Sequence, residues 1–296
     1  MDNIIIKQAG RDDFGPIAKL IAAQNKNPET HCIQSDTGAE PQSVENEMLR
    51  LASESAICFV TAIQNDVLAG AMGCEFDEEL GRGWARGPFI VAGTGDWEAT
   101  ANALLEGLQK ILPSTIHWLD SFLNIANQQG NNFYLSHGFK QLRLVHVYTS
   151  NTFAGKFERS SSCAPLTPLR AQDFIALHDS IFPQTYASGQ KIFEKIDGDH
   201  QVFIYSQDDE ILGYLYAAID EDSHEGSVEF VGVREDARGK GVGRILLQTA
   251  LTWLFQEKQV NQAILVVNDN LTNARSLYER VGFQLKYTGV HTRKEW

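Results

Sequence analysis

The chain reads as a mixed α/β protein made of two tandem copies of one unit, and three observations predict it. First, two nine-residue windows repeat: Asn-Asn-Phe-Tyr-Leu-Ser-His-Gly-Phe at 131–139 and Arg-Ser-Leu-Tyr-Glu-Arg-Val-Gly-Phe at 275–283 share an apolar residue, a Tyr, three residues and Gly-Phe, 144 residues apart. Second, the candidate strands and helices around each window come in the same order. Third, a Ser-rich stretch from Glu158 to Pro165 separates the halves and reads as a linker. The expected layout is a first copy over 1–150, a linker over 151–164 and a second copy over 165–296, and 43% apolar content in 296 residues suffices for two cores.

Each copy opens with a strand and one or two helices and continues into a hairpin. The hairpins are Ile57 to Ile63 with Val67 to Met72, and Val202 to Tyr205 with Ile211 to Ala218. A long amphipathic helix follows in each (Trp97 to Leu112; Val242 to Gln256), then an apolar strand (Ile116 to Leu123; Ala263 to Val267). After the repeated windows come the strand-like runs Leu142 to Thr149 and Gln284 to Thr288. Hairpins combined with strand–helix–strand crossovers predict α+β or mixed α/β architecture with a partly parallel sheet.

Bulk properties exclude several classes. No apolar run approaches the roughly 20 residues needed to span a bilayer. The start, Met1 to Lys7, lacks the basic region and apolar run of a signal peptide, so a cytoplasmic protein is expected. Cys32, Cys58, Cys74 and Cys163 show no CxxC pairing and are expected to be reduced packing residues. Net charge is −13, divided as −7 before residue 165 and −6 after it, which argues against a nucleic-acid partner. The eight histidines lack HxxxH or HExxH spacing, so no metal site is expected.

The informative residues begin at Ser227. Ser227 to Val233 alternates like a strand and runs into Arg-Glu-Asp-Ala-Arg-Gly-Lys-Gly-Val-Gly-Arg at 234–244, after which Leu247, Ala250, Leu251 and Leu254 recur at helical spacing. Glycines at a strand-to-helix turn let an anion approach unpaired amides at the positive end of a helix. Arg238, Lys240 and Arg244 add formal positive charge there. A Walker loop would need Ser or Thr where Gly241 stands, and a dinucleotide fingerprint would need glycine at Arg244, so neither applies.

What remains is Arg-x-x-Gly-x-Gly from Arg238 to Gly243, which resembles the pyrophosphate-binding motif of the GCN5-related N-acetyltransferase (GNAT) family. The second window extends the resemblance, with Ala274, Leu277, Tyr278, Gly282 and Phe283 in register with the family's helix after the fifth strand. The family's usual Asn falls on Leu271, with Asn270 before it and Asn273 after it. The resemblance implies two tandem acyl-CoA N-acyltransferase folds and acetyl-CoA as cosubstrate. It implies that the backbone of Val231 and Val233 meets the pantetheine, that Arg238, Gly239, Lys240, Gly241, Val242, Gly243 and Arg244 hold the pyrophosphate, and that Asn270 or Asn273 assists. It makes Tyr278 the general acid that protonates the leaving thiolate and Glu229 the candidate base.

The corresponding loop of the first copy, Gly87 to Trp97, has no Arg or Lys, and Asp96 would oppose a phosphate, so that copy is expected to be degenerate. Its Tyr134 and Gly138-Phe139 are then fold-keeping residues, and Asn127 a surface or capping residue. The loop Phe182-Pro-Gln-Thr-Tyr186 lies where the family covers its acceptor site, and Asp220 to Asp222 reads as a solvated acidic turn. The resemblance implies a primary amine as the acceptor, on a small molecule or a protein. The alternative reading is a non-catalytic coenzyme-A-binding or sensing module.

Overall fold

The computed structural model describes residues 4–36, 40–152, 162–183, 185–220 and 223–295, and the chain divides into two units, Met1–Val145 with Thr288–Trp296, and His146–Tyr287. Much of the Ser-rich linker (153–161), Gln184 and the pair Glu221 and Asp222 lie outside the described residues.

The first unit runs β1 (Ile5–Gln8), α1 (Phe14–Asn25), α2 (Pro41–Ser53), β2 (Ile57–Gln64), β3 (Val67–Asp77), β4 (Arg82–Ile90), α3 (Trp97–Ile111), β5 (Trp118–Asn124), α4 (Gln128–Ser136) and the start of β6 (Lys140–Ser150). Its strands follow the order β1-β2-β3-β4-β5, and the next position is taken by β12 (Gln284–Glu295), whose residues Gly289 to Glu295 pair antiparallel with Asn124 to Trp118. β4 and β5 are parallel. Burial is nearly continuous along β2, β3 and β4, as in a sheet covered on both faces.

The second unit repeats the plan with β7 (Cys163–Pro165), α5 (Ala171–Ile181), α6 (Gly189–Glu194), β8 (His200–Gln207), β9 (Glu210–Asp220), β10 (Glu225–Val233), α7 (Val242–Thr252), β11 (Gln262–Asn268) and α8 (Thr272–Arg280). Its order is β7-β8-β9-β10-β11. The end of β6 lies in this unit, where Asn151 Oδ1 accepts from Gln262 Nε2 at 2.6 Å.

Local chemistry explains the repeat. Both hairpins turn on two residues with positive φ, Asn65-Asp66 and Asp208-Asp209, the backbone that a tight two-residue hairpin needs. Both Gly-Phe pairs are helix stops. Gly138 and Gly282 take left-handed φ of 83° and 105°, and the next amide folds back, Phe139 N to Tyr134 O and Phe283 N to Tyr278 O, each at 3.1 Å.

One boundary differs from the sequence reading, which assigns all of 165–296 to the second copy and ends its last strand at Thr288. The strand continues to Glu295 and its distal part belongs to the first unit, because it completes the hydrogen bonding of β5. Asp120 anchors it there, with a side chain fully buried. Arg293 donates to both its oxygens (2.6 and 2.9 Å), Arg82 Nε donates at 2.5 Å, and His291 Nε2 lies 3.1 Å away. Burial alone would raise the Asp120 carboxyl, but His291, Arg293 and Arg82 outweigh it and hold it well below the usual carboxylate range.

The second unit has one apolar cluster around α7 and β11, including Leu246, Leu247, Leu251 and Leu265, and another that includes Phe174, Ile192, Tyr214, Tyr216 and Phe230. Within the second, His178 of α5 is fully buried. Its Nε2 lies 2.9 Å from Ala187 O, which can only accept, so that nitrogen carries the proton and Nδ1 accepts from the Tyr214 hydroxyl at 2.6 Å. Burial pushes the imidazole below its ordinary value. All four cysteines are free; burial raises every thiol, Cys58 to about 12, so none is a ready nucleophile. No helix among the described residues is long and apolar enough to cross a membrane.

Two outcomes follow for stability. Asp120→Asn is expected to cost about 3 kcal/mol in denaturant titration, the low end for a broken buried pair, because Arg82 and Arg293 keep 15% and 21% of their side-chain surface exposed. His178, neutral when folded, contributes its full stability above pH 6.5 and loses it as pH falls below that value, since the unfolded chain takes up the proton first. The stability gap between wild type and His178→Gln should therefore narrow on acidification below pH 6.5; a gap constant from pH 7.5 to 5 would refute the assignment of a neutral imidazole.

Candidate active site

β10 and β11 run parallel but pair only from Glu225 with Gln262 to Val228 with Leu265, although β10 continues to Val233 and β11 to Asn268. Beyond those four pairs the strands part. On its other side β10 stays paired with β9, and that pairing skips Glu229, placing a β-bulge at this residue. Arg234 N donates to Leu212 O on the β9 side. Strand alternation therefore turns the backbone groups of Val231 and Val233 to the opposite, open edge. Arg238 Nε reaches Val233 O there at 3.3 Å.

The glycine loop sits at the end of this edge. Gly239 and Gly241 adopt φ of 76° and 86°, a backbone only glycine takes without strain, and a Cβ at either would meet nothing within 4 Å. Gly241 is the N-cap of α7 and supplies no side-chain cap. Among the described residues, no backbone carbonyl accepts from the amides of Gly239, Lys240, Gly241, Val242 or Gly243. Arg234 is held by Glu210 and Asp236, whereas Arg238, Lys240 and Arg244 are exposed and make no ion pair among the described residues. Five free amides, a helix N-terminus and three free cations suit a pyrophosphate. Val242 is buried, so only its backbone can serve, and a Cβ on Gly243 would stand 3.1 Å from Leu277, so this glycine sets the close approach of α7 to α8.

Tyr278 of α8 is 9% exposed and packs edge-on against Phe283. Its hydroxyl has no hydrogen-bond partner among the described residues, and burial pushes its phenol up to about 12. Asn270 and Asn273 flank the start of α8, both exposed. Glu229 is exposed at its bulge and accepts a short hydrogen bond from the hydroxyl of Tyr186. Sequence reasoning placed Tyr186 only in a covering loop; no local pattern could pair it with a carboxylate 43 residues away. Asp220 accepts from Ser223 N and Oγ and so is engaged in its own turn.

The first unit has the same parting of strands with different contents. β4 and β5 pair from Arg82 with Trp118 to Ala85 with Ser121 and then separate. The next residue, in the register position of Glu229, is Arg86, 1% exposed and locked to Glu47 (2.6 and 3.1 Å) and Glu75 (2.8 Å). The segment from His31 to Ser35 fills the gap: Cys32 bridges Leu123 of β5, its Sγ receives Gly87 N at 3.4 Å, and His31 O accepts from Asn124 N. Tyr134, equivalent to Tyr278, donates to Gly87 O at 2.7 Å. Asp96 caps α3 through Glu98 N. Asn127, in the register position of Leu271, is a buried cap on Gly130 N, not a surface residue. The strand gap, the position after the paired residues and the tyrosine, open in the second unit, are satisfied internally in the first.

Comparison with known proteins agrees with this geometry. Residues 169–283 match the model of the acetyltransferase (GNAT) family. A mycothiol acetyltransferase of Streptomyces griseus is 35% identical over 81 residues, 27% of this chain and 26% of that protein; one from Salinispora tropica is 32% identical over 77 residues, 25% of each. These matches span about a quarter of the relatives' length. The structure of a GCN5-related N-acetyltransferase from Sphaerobacter thermophilus aligns over 99% of this chain and 95% of its own at 19% identity, with a TM-score of 0.74. A tandem GNAT protein from the clavulanic acid biosynthesis pathway aligns over 99% and 98% at 13% identity, with a TM-score of 0.71. The fold is that of tandem GNAT proteins, and residues 169–283 are similar to the acetyltransferase (GNAT) family.

Proposed function

We propose that the second unit is an N-acetyltransferase that moves an acetyl group from acetyl-CoA to a primary amine, and that the first unit binds no coenzyme. The observation that carries this reading is the parted β10–β11 edge ending in five free amides. The amides of Gly239 to Gly243 with Arg238, Lys240 and Arg244 would hold the pyrophosphate, Val231 and Val233 the pantetheine amides, and Asn270 and Asn273 are the remaining polar candidates. Because the matching relatives are mycothiol acetyltransferases, we take the acceptor to be a small-molecule amine.

Bound acetyl-CoA supplies an activated thioester. The amine enters as an ammonium and must lose a proton before it can attack, a task for the Glu229 carboxylate directly or through water. The departing thiolate needs a proton, and Tyr278, with its phenol pushed up to about 12, is fully protonated at neutral pH and has no partner competing for it. In the first unit an arginine occupies the register position of the base and the tyrosine is already bonded to the strand.

Calorimetric titration of the full chain with acetyl-CoA should find one site per chain, weakened at least ~10-fold by Arg238→Glu. In a thiol-release assay over a panel of small amines, Tyr278→Phe should lower kcat by about 10²-fold or more while leaving acetyl-CoA affinity unchanged. Two sites would overturn the closed first unit, binding without turnover of any amine would favour a sensing module, and no binding by folded protein would sink the reading.

A further inference from the structure

Tyr186 lies between α5 and α6, and the residues that follow it are pinned. His178 Nε2 donates to Ala187 O, Gly189 N donates to Asp179 Oδ1 at 2.8 Å, and Ser188 caps α6 through Lys191 N. The Tyr186 ring stacks on Phe230, centroids 5.1 Å apart and planes 29° from parallel, and Phe182 meets the same Phe230 edge-on at 5.2 Å. Phe230 is the residue after the bulge, so the stack places the phenol beside the side chain at the bulge. The hydroxyl donates to one carboxylate oxygen only, Glu229 Oε2. The residue as a whole is 45% exposed.

We infer that Tyr186 is a positioning residue for Glu229: it holds Oε2 and leaves Oε1 as the oxygen that meets the acceptor amine. The inference rests on the reading of Glu229 as the proton acceptor. A carboxylate at a bulge on an open strand edge has rotamer freedom, and a proton acceptor must be held within hydrogen-bond reach of its donor. The pinned loop removes that freedom through one directed bond. Burial, and then the Glu229 charge, push the Tyr186 phenol well above its ordinary value, so it remains a donor throughout any assay range. The stacked rings give the site an aromatic wall next to the carboxylate, a surface that also suits an ammonium.

The other titratable groups around the pair are Tyr214 and Tyr216 of β9, His178 and Asp179 of α5, and Asp197 before β8. They are common to wild type and Tyr186→Phe, so the difference between the two proteins isolates the single hydrogen bond. Tyr186→Phe keeps the ring, its stack and the fold.

The test is the carbon-13 NMR signal of the Glu229 carboxyl at one fixed neutral pH in the full chain, which needs no acceptor. Tyr186→Phe should move that signal, because the hydrogen bond at Oε2 is lost. With the amine turned over fastest in the panel, Tyr186→Phe should lower kcat about 10-fold, the worth of one hydrogen bond to a charged group, acetyl-CoA affinity should stay within about twofold, and adding Tyr186→Phe to Glu229→Gln should cost nothing further. An unmoved signal overturns the positioning role whatever the base is. Full kcat in Glu229→Gln overturns the base assignment instead, even where the signal moves.

Discussion

Two parallel strands that stay paired for four residues and then part are the constraint on which this molecule is built. Within β10 and β11 the parting leaves a row of backbone donors and acceptors without ladder partners, and such groups must find others. A bulge at the point of separation frees Glu229 from the sheet's regular alternation. A glycine turn at the far end adds free amides and a helix N-terminus. The features useful for handling an extended, phosphate-bearing molecule are thus consequences of one break in a ladder.

The same break occurs between β4 and β5, and there the protein itself supplies what the strands lack. His31 to Ser35 lies across the gap, Cys32 and Tyr134 take up both backbone groups of Gly87, and Arg86 is neutralised by two glutamates. The two halves therefore share a scaffold and differ in whether the groups exposed by the parted strands are met internally. A buried arginine cannot stay unpaired, so the change from an exposed carboxylate to Arg86 draws Glu47 of α2 and Glu75 of β3 into the same site. Closing the gap is a concerted rearrangement of several elements.

How much of this was legible depended on range. Tyr134 and Tyr278 could be aligned because the Gly-Phe that follows each is a local helix stop: glycine at the left-handed position, phenylalanine folding back. The loop at 238–244 was legible for the same reason, since positive φ and free amides are properties of a few consecutive residues. Asp96 was legible from its position alone as a carboxylate at the head of α3, which it caps through Glu98 N. The insertion of His31 to Ser35, the pairing of Arg86 with Glu47, and the bond from Tyr186 to Glu229 join residues 39 to 93 apart and leave no periodic trace. The length of β12 was missed because Gly289 to Glu295 form a strand only against β5, whose sequence gives no sign of a partner so far along the chain.

That last pairing has a consequence for biosynthesis. Residues 4–145 of the first unit leave the ribosome before those of the second, yet the free edge of its β5 is covered by residues 165 to 177 positions later. Until Thr288 to Glu295 have been made, β5 is an exposed strand edge, and Asp120, Arg82 and their neighbours have no Arg293 or His291. The nascent unit must persist as an open sheet throughout translation of the second half, a state in which unpaired edges invite intermolecular pairing. Vectorial synthesis thus makes the half of the molecule assigned no chemistry the last to be completed.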